Sequence, residues 1–340
     1  MDWEDTTRLE TAGQRLMLGF DGVELNEDIK HIIRDIRAGG LILFKQNIET
    51  PDQVKLLCDS CQAYARSCGC PPLFIAMDQE GGTVARLREP FTLFKGNPFI
   101  ETIDDAVDFA VITARELKSI GVNMNFAPVL DVAGANEHSI MKDRAFKGNA
   151  DRVASLGIKI IHTLQKNGIM AVAKHFPGIG RTIKDSHFFL PELDIELSGL
   201  ERSDLIPFMA AKNEGVAGIM LSHILYPKLD KEWPASLSPV IAKDLLRTRI
   251  GYEGLVMTDD LDMKAIEKDI ETCVRQILIS GIDMALICHK GPNIDKAYHE
   301  ITRLLHEDES LFVLGKKSAE RISRVKRIFL KNRALIDFGS

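Results

Sequence analysis

Eight short apolar runs recur along the chain, separated by stretches in which apolar residues fall three and four apart. The runs are RLMLGF (15–20), GLILF (40–44), LFIAM (73–77), VNMNFA (122–127), IMAVA (169–173), AGIML (217–221), GLVMT (254–258) and MALIC (284–288). They are continuous more than alternating, as parallel strands buried on both faces require. Helical spacing marks EDIKHIIRDIR, PDQVKLLCDSCQAYA, DDAVDFAVITAREL, DRVASLGIKIIHTLQ, LERSDLIPFMAAK, SPVIAKDLLRTR and ETCVRQILIS. Gly39, Gly121, Gly168, Gly215 and Gly281 each stand just before an apolar run, where a helix is expected to stop.

Strands alternating with helices leave two architectures, a closed (β/α)8 barrel or an open doubly wound sheet. The first run is followed by Gly-Phe-Asp-Gly, which does not make the glycine-rich phosphate loop of the open sheet. The count of eight favours the α/β class with a single TIM-type barrel. A further helix, KKSAERISRVKRIFLKN at about 316–332, is expected to pack outside it. No Pro/Gly/Ser-rich linker divides the sequence, so residues 1–340 read as one domain.

Composition narrows the functional classes. The chain has 340 residues, 45% hydrophobic and 27% charged, with a formal net charge of −6. No block of Lys and Arg stands out, which argues against a nucleic-acid partner. No apolar stretch is long enough to span a membrane, and MDWEDTTRLETAGQ lacks the basic and apolar regions of a secretory signal, so the cytoplasm is the expected compartment. Cys58, Cys61, Cys68 and Cys70 offer zinc-type ligands, yet the first two fall in a helical pattern and free thiols are the better expectation. No metal or cofactor is called for.

In a barrel of this kind, catalytic side chains gather where strands run into the following loops. Those positions are strongly polar here: Asp78, Gln79 and Glu80; Asp131; Lys174 and His175; Ser222 and His223; Asp259 and Asp260. Each has a plain structural reading, as a helix cap, a satisfied core histidine or a neutralising lysine. Agreement among so many strand ends points instead to a polar pocket, because buried charge is costly without partners or purpose. Carboxylates with an ionisable partner can run glycoside hydrolysis. There is no G-x-S-x-G elbow and no H-E-x-x-H, so serine-hydrolase and zinc-protease chemistry find no support.

KHFPG-x-G followed by D-x-H (174–187) resembles the signature of family 3 glycoside hydrolases, in the β-N-acetylglucosaminidase branch. DQEGG-x-V-x-R (78–86), NFAPVLDV (125–132), SH-x-LYP-x-LD (222–230), PASLSP (234–239) and GYEGLVMTDDLDMKAI (251–266) resemble that family in the same order, over about residues 12–290. The resemblance implies a (β/α)8 barrel that removes terminal β-linked N-acetylglucosamine with retention, in cell-wall recycling for short cytoplasmic members. It implies a carbohydrate or muropeptide substrate and no cofactor. Asp259 would be the nucleophile, and Asp185 with His187 the acid/base dyad. Asp78, Arg86, Arg144, Lys174 and His175 match positions that hold sugar hydroxyls. An imidazole titrates near neutrality and suits proton delivery. Gly178 and Gly180 are expected to let the dyad's loop swing over the sugar.

The sequence departs from the family pattern in places. KHFPGHGD is usual where Ile179 and Arg181 stand, and Arg is common at the place of Thr83. Arg181 is of the type to meet a phosphate or an acidic peptide, and some relatives with a His acid/base transfer the sugar to phosphate. Phosphorolysis, and more remotely a non-catalytic sugar-binding barrel, therefore stand as alternatives.

Overall fold

The computed structural model describes residues 3–134, 138–183 and 190–330. Each of the eight apolar runs contributes one parallel strand: β1 Leu16–Leu18, β2 Gly40–Ile42, β3 Phe74–Met77, β4 Met124–Asn125, β5 Met170–Phe176, β6 Gly218–Leu221, β7 Leu255–Asp260 and β8 Met284–Ile287. They pair in chain order, and β8 closes on β1 with Met17 opposite Leu286. The fold is a (β/α)8 barrel.

The continuity of the apolar runs has a direct cause. Met17, Phe74, Ala76, Met170, Val172 and Met257 point into the lumen, while their neighbours Leu16, Leu18, Ile75, Ala171, Ala173 and Val256 pack against the surrounding helices. Successive side chains alternate between faces, and here both faces are dry. Several helices begin on a side-chain cap: the oxygens of Asn26, Thr50, Thr102, Asn149 and Asp269 each accept a backbone N–H three residues on. Such caps satisfy amides that the first helical turn leaves unpaired.

The structure corrects some boundaries. LERSDLIPFMAAK forms two helices, Leu197–Glu201 and Leu205–Asn213. Helices at Trp3–Gln14 and Pro292–Glu307 add to those expected from spacing. The last helix spans Glu309–Leu330, starting earlier than expected. Nor does it lie simply outside the barrel. Ile322, Val325 and Leu330 pack in the same cluster as the lumen residues Met17 and Phe74, so the helix closes the N-terminal mouth. No helix among the described residues is long and apolar enough to cross a membrane.

The cysteines are free thiols. Cys58 and Cys61 are buried within the helix Pro51–Ser67. Burial pushes the Cys61 thiol up to about 12.

Candidate active site

β5 and β7 run past the apolar segments that define them and carry polar residues into the C-terminal mouth of the barrel. There they border a cavity of about 500 Å³ lined by Asp78, Arg86, Arg144, Lys174, His175 and Asp259, with Phe44, Phe126 and Met220 as apolar walls. Six of the eight residues expected from the sequence thus converge. The other two, Asp185 and His187, lie outside the described residues.

One wall is a buried charge network. Lys174 Nζ donates to Asp78 Oδ1 at 2.7 Å and meets Glu80 Oε1 at 2.6 Å. Arg86 Nη2 donates to the other Asp78 oxygen at 2.8 Å. Arg144 grips Glu80 with two bonds, Nε to Oε2 at 3.0 Å and Nη2 to Oε1 at 2.8 Å. Burial alone would raise both carboxyls, but Lys174 with Arg86 for Asp78, and Lys174 with Arg144 for Glu80, more than reverse it; both are held below the usual carboxylate range. The same pairing raises Lys174 despite its burial. Both acids therefore stay ionised, and the wall presents fixed donors and acceptors to the cavity.

The DQEGG segment explains how Arg86 reaches Asp78. Gln79 and Gly81 pair with Val84 and Ala85 in a short hairpin. Gln79 Oε1 accepts the N–H groups of Arg86 and Leu87, and Asn125 on β4 brackets the Gln79 backbone through both its amide atoms. Gly82 turns with φ 62°, and a Cβ there would lie 2.8 Å from the Lys95 carbonyl oxygen. Only glycine meets both conditions. Thr83 is exposed at this turn, away from the cavity.

His175 and Lys174 are joined by a cis peptide. His175 Nδ1 lies 2.7 Å from Asp131 Oδ2, while Nε2 faces Arg144 Nη2 at 3.5 Å. The Asp131 carboxylate can only accept, so Nδ1 donates its proton to it. Asp131, fully buried, also accepts the Ile179 N–H at 2.8 Å.

Gly178 and Gly180, expected to let the loop swing, are held by neighbours at their own positions, while residues 184–189 of that loop lie outside the described residues. Tyr226 donates its hydroxyl to Gly178 O, Ser139 to Gly180 O, and the Ile140 N–H to Thr182 O. A Cβ on Gly180 would come within 2.3 Å of the Val132 backbone. These glycines permit close packing, not free rotation. Ile179 is buried beneath them. Arg181 donates Nε to the buried Asp204 at 2.9 Å.

Across the cavity, Asp259 lies next to last in β7 with one oxygen accepting the Asp260 N–H at 2.8 Å. Burial would raise its pKa, but the imidazoles of His223 and His175, that N–H and Lys174 hold it below the ordinary value. Burial lowers His223, whose Nε2–H donates to Asp260 O at 2.7 Å while Nδ1 accepts from Ser236. The next acid behaves oppositely. Burial, with Asp262 and Asp259 nearby, raises Asp260, and its Oδ1 accepts the Asp262 and Cys288 N–H groups. Asp259 is thus the ionised, open carboxylate and Asp260 the structural one.

Glu80, Asp131 and His223 were visible as strand-end residues but carried no assigned role; partnership with Lys174, His175 and Asp260 is legible only in three dimensions. His289, stacked on Phe44 at 6.1 Å, lines the cavity from the end of β8, a strand end the sequence reading passed over.

Residues 8–327 match the model of the glycosyl hydrolase family 3 N terminal domain. A β-hexosaminidase of Alkalilimnicola ehrlichii is 35% identical over 285 residues, 81% of this chain and 80% of that protein. One of Pseudomonas aeruginosa is 34% identical over 295 residues, 85% and 86% of the two chains. Among solved structures, a family 3 β-N-acetylglucosaminidase from Paenibacillus sp. str. FPU-7 superposes with a TM-score of 0.89 at 33% identity. The match takes in 97% of this chain but 63% of that longer one. NagZ of Neisseria gonorrhoeae matches at 28% identity and TM-score 0.73, over 91% of this chain and 98% of its own.

Proposed function

The chain belongs to glycosyl hydrolase family 3, and from that premise we propose that it is a retaining exo-β-N-acetylglucosaminidase releasing terminal β-linked GlcNAc, with peptidoglycan fragments as the substrate class. The observation that supports the reading is Asp259, held below the ordinary carboxylate range, sharing one cavity with the charge network of Asp78, Arg86, Arg144 and Lys174.

A closed wall of Asp78, Arg86, Arg144, Lys174 and His175 suits a single terminal sugar ring. Hydrogen bonds to its hydroxyls hold the ring and its anomeric carbon against Asp259. The carboxylate attacks that carbon, the glycosidic C–O bond breaks, and a glycosyl ester on Asp259 forms through an oxocarbenium-like transition state. The departing oxygen takes a proton from His187, oriented by Asp185, both on the segment following Thr182. The imidazole then takes a proton from water, whose oxygen attacks the anomeric carbon and frees Asp259.

The test is turnover of 4-nitrophenyl β-N-acetylglucosaminide with and without inorganic phosphate, identifying the sugar. Free GlcNAc at a phosphate-independent rate supports the proposal. GlcNAc-1-phosphate, at a rate rising with phosphate, would make the protein a phosphorylase. Sugar binding without turnover would leave only a binding barrel. The bond from Arg181 to Asp204 favours hydrolysis, because it occupies the cation that raised phosphorolysis.

A further inference from the structure

A second cavity, of about 540 Å³, lies at the opposite end of the barrel between the helices Trp3–Gln14 and Glu309–Leu330. Its lining includes Gln14, Pro71, Pro72, Ala319, Lys326 and Leu330. Lys326 is the unusual member. It is 4% exposed, its Nζ donates to Gln14 Oε1 at 2.7 Å, and it lies 4.9 Å from the centroid of the Phe74 ring. Among the described residues no carboxylate comes within ion-pair distance of it; Glu10 acts on it only from farther away.

Gln14 is engaged through both its amide atoms. Its Nε2 donates to Arg37 O and Ala38 O, and its Oε1 is taken by Lys326. An ammonium has three donors, so the lysine is left with unused hydrogen-bonding capacity and no carboxylate at ion-pair distance among the described residues. Burial lowers its pKa to about 7, as expected of a cation without an anion. Lys316 and Arg327 add positive charge around the cavity, while Glu10 and Glu320 limit the negative charge it would tolerate. The complement is a single negative charge on an apolar body.

We propose that this cavity is a binding site for an amphipathic monocarboxylate, with the carboxylate on Lys326 and the hydrocarbon along Pro71, Pro72 and Leu330. Cationic charge and apolar surface then both find partners in one ligand. The site is separate from the sugar pocket and does not depend on the activity assigned there.

Calorimetry and thermal melts with decanoate and decanol on the full chain test this. Decanoate should bind saturably at submillimolar concentration and raise Tm, while decanol should bind at least about tenfold more weakly. Affinity for decanoate should fall as pH rises from 7 to 9, by up to about tenfold per unit, because the free lysine must take up a proton to pair. Lys326→Met should weaken decanoate at least about tenfold and abolish its pH dependence. Ala319→Trp, which fills part of the cavity and leaves the lysine in the sequence, should also block binding and keeps the test decisive if the first variant does not fold. Absence of saturable binding below 5 mM (roughly a −3 kcal/mol floor), equal binding by decanol, undiminished binding by both variants, or binding that emerges only when residues 331–340 are removed would overturn the proposal.

Discussion

Asp131 Oδ2 lies 2.7 Å from His175 Nδ1, and the other oxygen of the same carboxylate accepts the Ile179 N–H at 2.8 Å. One buried acid therefore fixes a cavity-facing imidazole and the backbone that leads toward Asp185 and His187. Asp131→Asn keeps an acceptor for Ile179 but weakens the charge-assisted bond that orients the ring. Hydrogen bonds to charged groups contribute about 1.5–3 kcal/mol, so kcat/KM should fall roughly 10- to 100-fold, and Tm should fall by several degrees because the same bond is lost from the fold. Steady-state kinetics beside a melt would show it; wild-type kinetics would remove Asp131 from the orienting role.

Lys174 holds two buried carboxylates at once, and its loss should be felt first in stability. Lys174→Met leaves Asp78 and Glu80 facing each other with Arg86 and Arg144 alone, and breaking a buried pair costs about 3–5 kcal/mol. The sign with pH follows from the depressed folded pKa values of both acids. In the native protein their stabilisation is complete above the unfolded carboxylate range, about 4, and is lost as pH falls through the folded values. In the variant, burial without the ammonium drives their pKa upward, so protonation relieves the defect. The gap between variant and parent in chemical denaturation should be largest near pH 7 and shrink toward pH 4. A gap that widens on acidification would contradict the network.

Arg181 offers a contrast. It is partly exposed, and its guanidinium neutralises Asp204, whose carboxyl burial pushes upward. Arg181→Ala should cost about 1–2 kcal/mol, less than a fully buried pair because of solvent screening. Turnover of 4-nitrophenyl β-N-acetylglucosaminide should stay within about threefold of the parent. A large activity loss at unchanged Tm would place Arg181 at the substrate instead.

Proton delivery by His187 predicts a dependence on the leaving group. His187→Ala should lose least with 4-nitrophenyl glycoside, whose phenolate departs without help, and about 10²–10⁴-fold with an unactivated sugar aglycone. Equal losses on both substrates would remove His187 from the acid role.

The barrel was legible because every strand is buried on both faces: Met17 looks into the lumen and Leu16 to the helices, so the runs are almost wholly apolar, and exceptions such as Asn123 and Asn125 are buried and bonded to the backbone of Ile75 and Gln79. Strand ends were legible for the complementary reason, since Asp78, Lys174 and Asp259 break into charge where the apolar layer stops. What spacing hides is pairing. Glu80 and Arg144 are 64 residues apart in sequence and joined by two hydrogen bonds. The same holds for Gly178 and Gly180, which suggest mobility in one dimension and pack against Asp204 and Val132 in three. The last helix read as an amphipathic appendage because nothing local marks Ile322, Val325 and Leu330 as the plug of the barrel floor.

The most direct measurement of the central claim is the mass of the enzyme quenched during reaction with a fluorinated GlcNAc-type glycosyl fluoride, which forms a glycosyl ester quickly and loses it slowly. The account predicts one added sugar per chain, located by proteolysis on Asp259 and absent from Asp259→Ala. A sugar carried by a different residue, or turnover by Asp259→Ala at the parental rate, would contradict it.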